Sequence, residues 1–290
     1  AASGRLSRKM EAAKSAALEA LIKDTRIAAR NRCLEVVGLN HTIAIRQQRM
    51  AIADSLLALY ESGLQHGAMT ALDVNRIRME RMDVQATLLE AQATRDKALH
   101  QLREMAGGRE VSLQGIDLPD ATDATLPVDY TDLRIEAAAR QVDVERGREK
   151  AVQADWLPTL KIGYRRNTDG GVASHGVLIG GSVPLFGTRR ARAVAHRRQQ
   201  EAFTQAQITQ AAIERERMDL STELQLSRDK LLATEPAIVQ ETLQMLRRSL
   251  CAGQISLVEY LTSAAPLYGK LEDRIATLTL LHQTYTALQR

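Results

Sequence analysis

Apolar positions along this chain follow two periods. Over most of its length they recur at alternating three- and four-residue intervals, the signature of helix packed on helix. From about Leu6 to Tyr60 there is no proline and one glycine, Gly38, so one long helix is expected there. Its apolar stripe is irregular: Leu18, Leu21, Leu34, Val37, Ala44 and Leu57. Ser62, Gly63, Gln65, His66 and Gly67 punctuate a turn. Thr70 is placed to cap the next helix, with Asp73 three residues on as the capping-box acid. That helix is predicted over 71–105, with Val74, Ile77, Arg81, Val84, Leu88, Ala91, Arg95, Ala98, Leu102 and Met105 facing the preceding one in an antiparallel coiled coil. Gly107 and Gly108 end it. A further helix is predicted over 130–155. A second very long one runs from Thr188 to about Leu250, broken or bent near Glu235-Pro236. After a turn at Cys251-Ala252-Gly253, the last helix carries Leu257, Leu261, Ala264, Tyr268, Leu271, Ile275, Leu278, His282, Tyr285 and Gln289 on the same spacing.

Between Trp156 and Arg190 the period changes to two. Leu160, Ile162 and Tyr164 alternate with Thr159, Lys161, Gly163 and Arg165. Val177, Ile179, Gly181, Val183 and Leu185 alternate with Leu178, Gly180 and Ser182. Each run is close to the roughly 9–11 residues that a tilted strand needs to cross a hydrocarbon layer. The segment 167–176, Asn-Thr-Asp-Gly-Gly-Val-Ala-Ser-His-Gly, reads as the hairpin tip.

The chain also repeats itself. Gly67-Ala-Met-Thr-Ala-Leu-Asp73 lies 186 residues before Gly253-Gln-Ile-Ser-Leu-Val-Glu259. Gly matches Gly, Thr70 matches Ser256, Leu72 matches Val258 and Asp73 matches Glu259; upstream, Leu57 pairs with Leu243 and Leu64 with Leu250. The order long helix, glycine turn, hydroxyl cap, acid, heptad helix therefore occurs twice. Only the second copy has a hairpin in front of its long helix. A lipid-exposed sheet must close, and barrels need about eight strands or more. An N-terminal helix and a first hairpin are therefore expected upstream, and the Ala-Ala-Ser-Gly start without Met fits a processed or truncated chain.

Composition supports rods over a thick globular core: aromatics are 3% of the 290 residues. The 39 basic and 35 acidic residues leave a formal net charge of +4, a near balance that suits solvated helix faces with i,i+4 pairs and argues against nucleic-acid binding. No run of about 20 apolar residues marks a transmembrane helix, and no signal peptide is visible. Cys33 and Cys251 lie in helical pattern, far apart, and read as two small buried apolar residues before they read as a disulfide. The six histidines are dispersed, with no HExxH, GxSxG or P-loop, so no enzyme, metal or cofactor is expected. Met79 and Met82 share one helix, where methionine is core filler far more often than a soft-metal ligand. Arg189, Arg190, Arg192, Arg197 and Arg198 cluster just after the strands, placed equally for lipid phosphates or for a solvated helix start. Trp156 and Tyr164 are candidate interfacial anchors, and Pro158 and Pro184 suit strand ends.

Three stretches together resemble the outer-membrane efflux channel family, the TolC-like outer-membrane factors. They are Ala154-Asp-Trp-Leu-Pro-Thr-Leu160, Val183-Pro-Leu-Phe-Gly-Thr-Arg-Arg190, and Tyr60-Glu-Ser-Gly63 through Asp73 with its partner around Gly253. The resemblance implies a mostly α fold, with long antiparallel coiled-coil helices forming a periplasmic α-barrel and one transmembrane β-hairpin contributing to a trimeric outer-membrane β-barrel. Residues 1–108 would be a first helical hairpin, 109–129 a linker, 130–155 a helix of the second repeat, 156–187 the β-hairpin and 188–290 the second helical hairpin. The implied assembly is a homotrimer in outer-membrane lipid that meets a periplasmic adaptor and, through it, an inner-membrane pump such as an RND transporter. Both glycine turns would lie at the periplasmic tip. Leu64, Gly67, Thr70, Gly253, Ile255 and Ser256 are adaptor-contact candidates; Asp73 and Glu259, with Arg76 and Tyr260 nearby, are entrance or gate candidates; and Trp156, Tyr164, Arg189 and Arg190 are membrane-interface candidates. Good turn formers and dipole-favoured helix acids would occupy the turn positions without any such role. The competing class is an adaptor or other coiled-coil scaffold that conducts nothing, although an adaptor would need flanking β-rich halves.

Overall fold

The computed structural model describes residues 2–118, 132–154, 159–169, 172–182 and 188–290. Six helices and two strands follow the order α1 (Ala2–Gln65), α2 (Ala71–Met105), α3 (Leu133–Ala154), β1 (Thr159–Asp169), β2 (Val172–Ser182), α4 (Thr188–Leu232), α5 (Pro236–Cys251) and α6 (Leu257–Leu288). They group into two compact units, one of Ala1–Asp24 with Tyr130–Glu216, the other of Thr25–Asp129 with Arg217–Arg290. No described helix is long and apolar enough to cross a membrane.

The first unit carries the hairpin. β1 and β2 pair antiparallel from Thr159↔Ser182 to Asp169↔Val172. Ladder pairing thus runs through 167–169 and 172–176, and the ten-residue tip read from sequence is wrong. Only Gly170 and Gly171 separate the paired ends in sequence, and two residues suffice for a hairpin connection. Ile162 faces Ile179 and Tyr164 faces Val177 across the ladder. All four side chains are exposed, at 71%, 71%, 67% and 69% in that order. They form one largely exposed apolar stripe. Elsewhere in this unit α3 is fixed by charge. Asp132 accepts from the Arg134 amide at 2.9 Å and from its guanidinium at 2.7 Å, while Arg134 reaches Glu216 of α4 at 2.9 Å. Asp132 is buried, so this pairing satisfies an acid that would otherwise be expensive to desolvate, and it holds the guanidinium pKa up.

In the second unit, α1, α2, α5 and α6 share one core of Leu56, Tyr60, Val74, Ile77, Leu250, Leu257, Tyr260, Ala264 and Tyr268. A smaller cluster sets Val36 of α1 against Ala98 and Leu102 of α2, and a third sets Leu224 of α4 against Leu281 and Leu288 of α6. Gly38 is required by contact: a Cβ there would stand 2.3 Å from Thr279 Oγ1. Two predicted stripes are corrected. On α1, Leu18 and Leu21 are exposed, and Ala44 with them, while the buried positions include Ala13, Ala20, Ile27, Val36 and Ile43. On α6 the predicted stripe holds at Leu257, Ala264 and Tyr268, with Tyr260 buried in place of Leu261, and then drifts, so that Leu281, Thr284 and Leu288 are buried in place of Leu278, His282 and Tyr285. A 3.5-residue repeat slips about 20° per heptad on a straight helix, and α6 meanwhile packs on α4 as well as α5. Both cysteines are free, Cys33 half-buried and Cys251 exposed at the end of α5.

Candidate functional site: two glycine turns over one core

Both turns close by the same hydrogen bonds. Gly67 N–H donates to Leu64 O at 3.1 Å and Ala68 N–H to Gly63 O at 2.8 Å; 186 residues on, Gly253 N–H donates to Leu250 O at 3.0 Å and Gln254 N–H to Ser249 O at 2.9 Å. This pair of bonds, with the glycine at positive φ, is the Schellman helix ending. The φ values, +72° at Gly67 and +69° at Gly253, lie in the region where a Cβ is strained, which explains glycine at both positions. Each chain then extends at the hydroxyl residue, Thr70 (φ −93°, ψ 152°) or Ser256 (φ −74°, ψ 158°). Each hydroxyl accepts from the amide three residues on, Asp73 or Glu259, at 3.2 Å. The repeat seen in sequence is thus a repeat of backbone geometry.

The turns also lie together. Leu56 and Tyr60 before the first turn, Val74 and Ile77 after it, Leu250 before the second and Leu257 and Tyr260 after it belong to one cluster, with Met69 and Ile255 packed against it. Met69 folds back so tightly that a Cβ on Gly63 would meet its Cγ at 2.5 Å. Deeper in this pack, Arg49 of α1 pairs with Glu80 of α2 at 2.6 Å and stacks over the ring of Tyr268 at 5.2 Å. Arg46 bridges to Glu272 of α6 at 2.7 Å. Two helical hairpins therefore present their ends at one level, held by apolar contact and by cross-helix ion pairs.

Among the residues proposed from sequence for this end, Leu64, Gly67, Thr70, Gly253 and Ser256 are exposed, whereas Ile255 is half-buried. Asp73 is tied down. Its carboxylate accepts from the Thr70 hydroxyl at 2.6 Å and pairs with Arg76 at 3.1 Å. Glu259 is exposed, with no ion-pair partner among the described residues. The place corresponding to Arg76 is Thr262, whose hydroxyl turns back to the carbonyls of Val258 and Glu259. Tyr260 lies in the core, hydrogen-bonded to Tyr268; burial pushes its phenol up to about 12, so it stays neutral at physiological pH. Arg49, Glu80 and Tyr268 belong to this end as well, although no sequence motif assigns them to it; Tyr60 was already part of the turn motif. Of these three, only Tyr268 is signalled by periodicity.

Of the membrane-interface candidates, Tyr164 is on the exposed stripe and Arg189 and Arg190 are exposed at the start of α4, as are Arg192, Arg197 and Arg198. Trp156, Pro158 and Pro184 lie outside the described residues. Among the described residues no group of three or more His, Cys, Asp or Glu side chains could hold a metal ion.

No protein-family profile matches the chain. No curated protein sequence does either. Solved structures do match it. A membrane protein from Pseudomonas aeruginosa superposes with a TM-score of 0.83 at 18% identity, over 98% of this chain and 71% of the other. CusC, solved in a study of folding and transmembrane channel formation, gives 0.82 at 15% identity, over 98% and 71%. The open state of the Neisseria gonorrhoeae MtrE outer membrane channel gives 0.82 at 12% identity, over 99% and 70%. The chain has the TolC-like fold that these proteins share.

Proposed function

We propose that this chain is a protomer of an outer-membrane efflux conduit. The β-hairpin sits in the outer-membrane lipid and gives its strands to a barrel shared by a homotrimer. The helices continue as a tube through the periplasm of a Gram-negative cell. The chain does no chemistry; it encloses a water-filled route along which an inner-membrane pump, such as an RND transporter, drives its cargo.

One observation carries this reading more than any other. Ile162, Tyr164, Val177 and Ile179 line one face of an 11-residue strand pair and are left uncovered. Apolar burial is worth about 25 cal/mol per Å², so a uniformly exposed stripe of this kind is unfavourable in water and favourable in hydrocarbon. Its length matches a tilted membrane strand. The likeness to solved outer-membrane channels supports the same reading. Arg189 and Arg190, directly after the hairpin, then stand at the level of lipid phosphates.

The paired glycine turns are the entrance and the surface for a periplasmic adaptor. Gly67, Thr70, Gly253 and Ser256 are small and exposed, so another helical hairpin can approach their backbone closely, and Leu64 offers it an exposed apolar side chain. Ile255 supports the second turn from beneath. Asp73 and Glu259 contribute carboxylates around the opening, a cation-attracting arrangement.

The test is reconstitution of the full-length protein in a planar bilayer. Trimers extracted in detergent should give steps of ion conductance, and Ile162→Asp with Val177→Asp should abolish insertion while leaving helix content intact. A chain that stays monomeric and soluble without detergent, or inserts equally well with both aspartates, would refute the proposal.

A further inference from the structure

At the root of the hairpin the first unit holds an apolar trough of about 440 Å³ between α1, α3 and α4. Leu6, Val152, Val194 and Ala195 line it. α1 is drawn onto α3 at Gly147, where an added Cβ would stand 3.2 Å from Leu6 Cδ1, and Lys9 Nζ donates to Asp143 O at 3.3 Å. His196 Nδ1 and Glu149 Oε1 meet at 3.1 Å and hold α4 against α3. The walls are tied together while the space between them stays open, with Val194 still 49% exposed. Its volume falls in the range of roughly 300–1,000 Å³ usual for ligand sites.

The rim of the trough is basic. Arg190, Val194 and Arg198 recur at four-residue intervals and so share one face of α4, the two arginines roughly 12 Å apart along the axis. Arg148 borders the same space from α3. The acid on this rim, Glu145, is buried and already paired with Arg148 at 3.1 Å. Neither Arg190 nor Arg198 has an ion-pair partner among the described residues. The backbone does not favour them either: α4 has no acid in its first turn, where Arg189 and Arg190 oppose the helix dipole. A bound anion offsets both penalties, and guanidinium groups match phosphate oxygens with paired hydrogen bonds.

An anion site beside an apolar trough selects an amphiphile. Residues 155–158 can bridge at most roughly 18 Å, so β1 starts within that reach of the end of α3. We propose that the trough is a site for an anionic phospholipid, its phosphate held by Arg190 and Arg198 and one acyl chain laid over Val194 and Val152. That such a lipid is at hand there rests on the proposed function above. The site itself is on the helices, apart from any lipid that lies against the strands.

Photo-crosslinking tests it. Full-length trimers in detergent are given phosphatidylglycerol with a photoreactive acyl chain, and the labelled peptides are read by mass spectrometry. Label is expected on 148–152 and 190–198 as well as on the hairpin. Arg190→Gln with Arg198→Gln should cut the groove label about tenfold or more, with the hairpin label changed less than twofold. Inorganic phosphate in large excess should displace little of it, because phosphate lacks the chain that fills the trough. Label confined to the hairpin would overturn the site and mean that a neighbouring copy or a further segment of the chain covers it. Groove label indifferent to the two arginines, or erased by inorganic phosphate, would overturn it too. Planar-bilayer conductance of the same trimers separates this idea from the one it rests on. Conducting trimers labelled on the hairpin alone remove the site and leave the conduit. Groove label on chains that neither insert nor conduct leaves the site and removes the conduit.

Discussion

At the first turn the capping acid is held on three sides: Asp73 takes the Thr70 hydroxyl through its carboxylate, gives its own amide to that hydroxyl, and pairs with Arg76 one helical turn on. At the second, Glu259 gives its amide to Ser256 in the same way, but its carboxylate stands in solvent and the place of the arginine is taken by Thr262. The two turns also differ in what leads into them, an unbroken helix in one case and a short helix behind a proline break in the other. Backbone geometry is thus common to both ends while charge and the helix leading in are not. Glycine at positive φ and a hydroxyl cap are demanded by the way a helix stops and restarts. The acid's partner is demanded by nothing local, so it is free to differ. The ring of equivalent carboxylates that the repeat suggests becomes, in the proposed trimer, one set largely neutralised by Arg76 and one set open.

The core that joins the turns gives the largest expected effect. Ile77 is fully buried at the centre of the shared cluster. Ile77→Ala should lower unfolding free energy by about 2–5 kcal/mol, measured by denaturant melts of the detergent-solubilised protein. Because the residues flanking both turns belong to one cluster, exchange protection should fall at Leu257 and Tyr260 as well as at Val74. A loss confined to the first turn would break the comparison by showing that the ends are independent.

Below it in size comes the test of sameness. Gly67→Ala and Gly253→Ala each place a Cβ at a φ near +70°, and each should cost about 1–2 kcal/mol. Neither glycine has a neighbour that an added Cβ would meet, so backbone strain alone sets the cost and the two values should agree within about 0.5 kcal/mol. A much smaller loss at Gly253 would sharpen the contrast, because a turn carried on a short helix behind a proline break has more room to relax than one on an unbroken helix.

How far the sequence revealed these features depended on whether the signal was local. The bounds of α2, Ala71–Met105, were legible to the residue because Thr70 and Asp73 mark its start and Gly107 its end. The break at Pro236 and the likeness of the two turns were legible for the same reason: proline, glycine and hydroxyl caps act on their own backbone. The α1 stripe was not, because its contact positions include Ala13 and Ala20, which hydrophobic patterning hardly registers, while the conspicuous Leu18 and Leu21 face outward. Tyr260 was assigned to the entrance by the resemblance and its nearness to the turn; it is buried one residue before Leu261, where the three-four count fell, and so leaves the surface. The hairpin strands were legible from alternation, but their ends were not, since ladder pairing continues through residues that look like turn formers. The pairing of Asp73 with Arg76 needed coordinates, because an i,i+3 spacing permits such a pair without requiring it.

The smallest effect separates the turns most directly. If Asp73 and Arg76 act as a closed neutral pair, replacing both by Asp73→Asn with Arg76→Gln should leave the cation-to-anion permeability ratio of the reconstituted channel nearly unchanged. Glu259→Gln should lower that ratio about twofold to fivefold, the size of roughly 0.5–1 kcal/mol for one exposed charge per chain acting on a permeant ion across several ångströms of water. Reversal potentials across an asymmetric salt gradient give both numbers. Arg76→Gln alone should raise the ratio, since it releases the carboxylate of Asp73 from its cation. All three differences should shrink at about 1 M salt, where the screening length falls to about 3 Å. A paired-neutral variant that lowers the ratio as far as Glu259→Gln would mean that Asp73 faces the passage as openly as Glu259. The asymmetry of the two ends would then be confined to the helix break before α5.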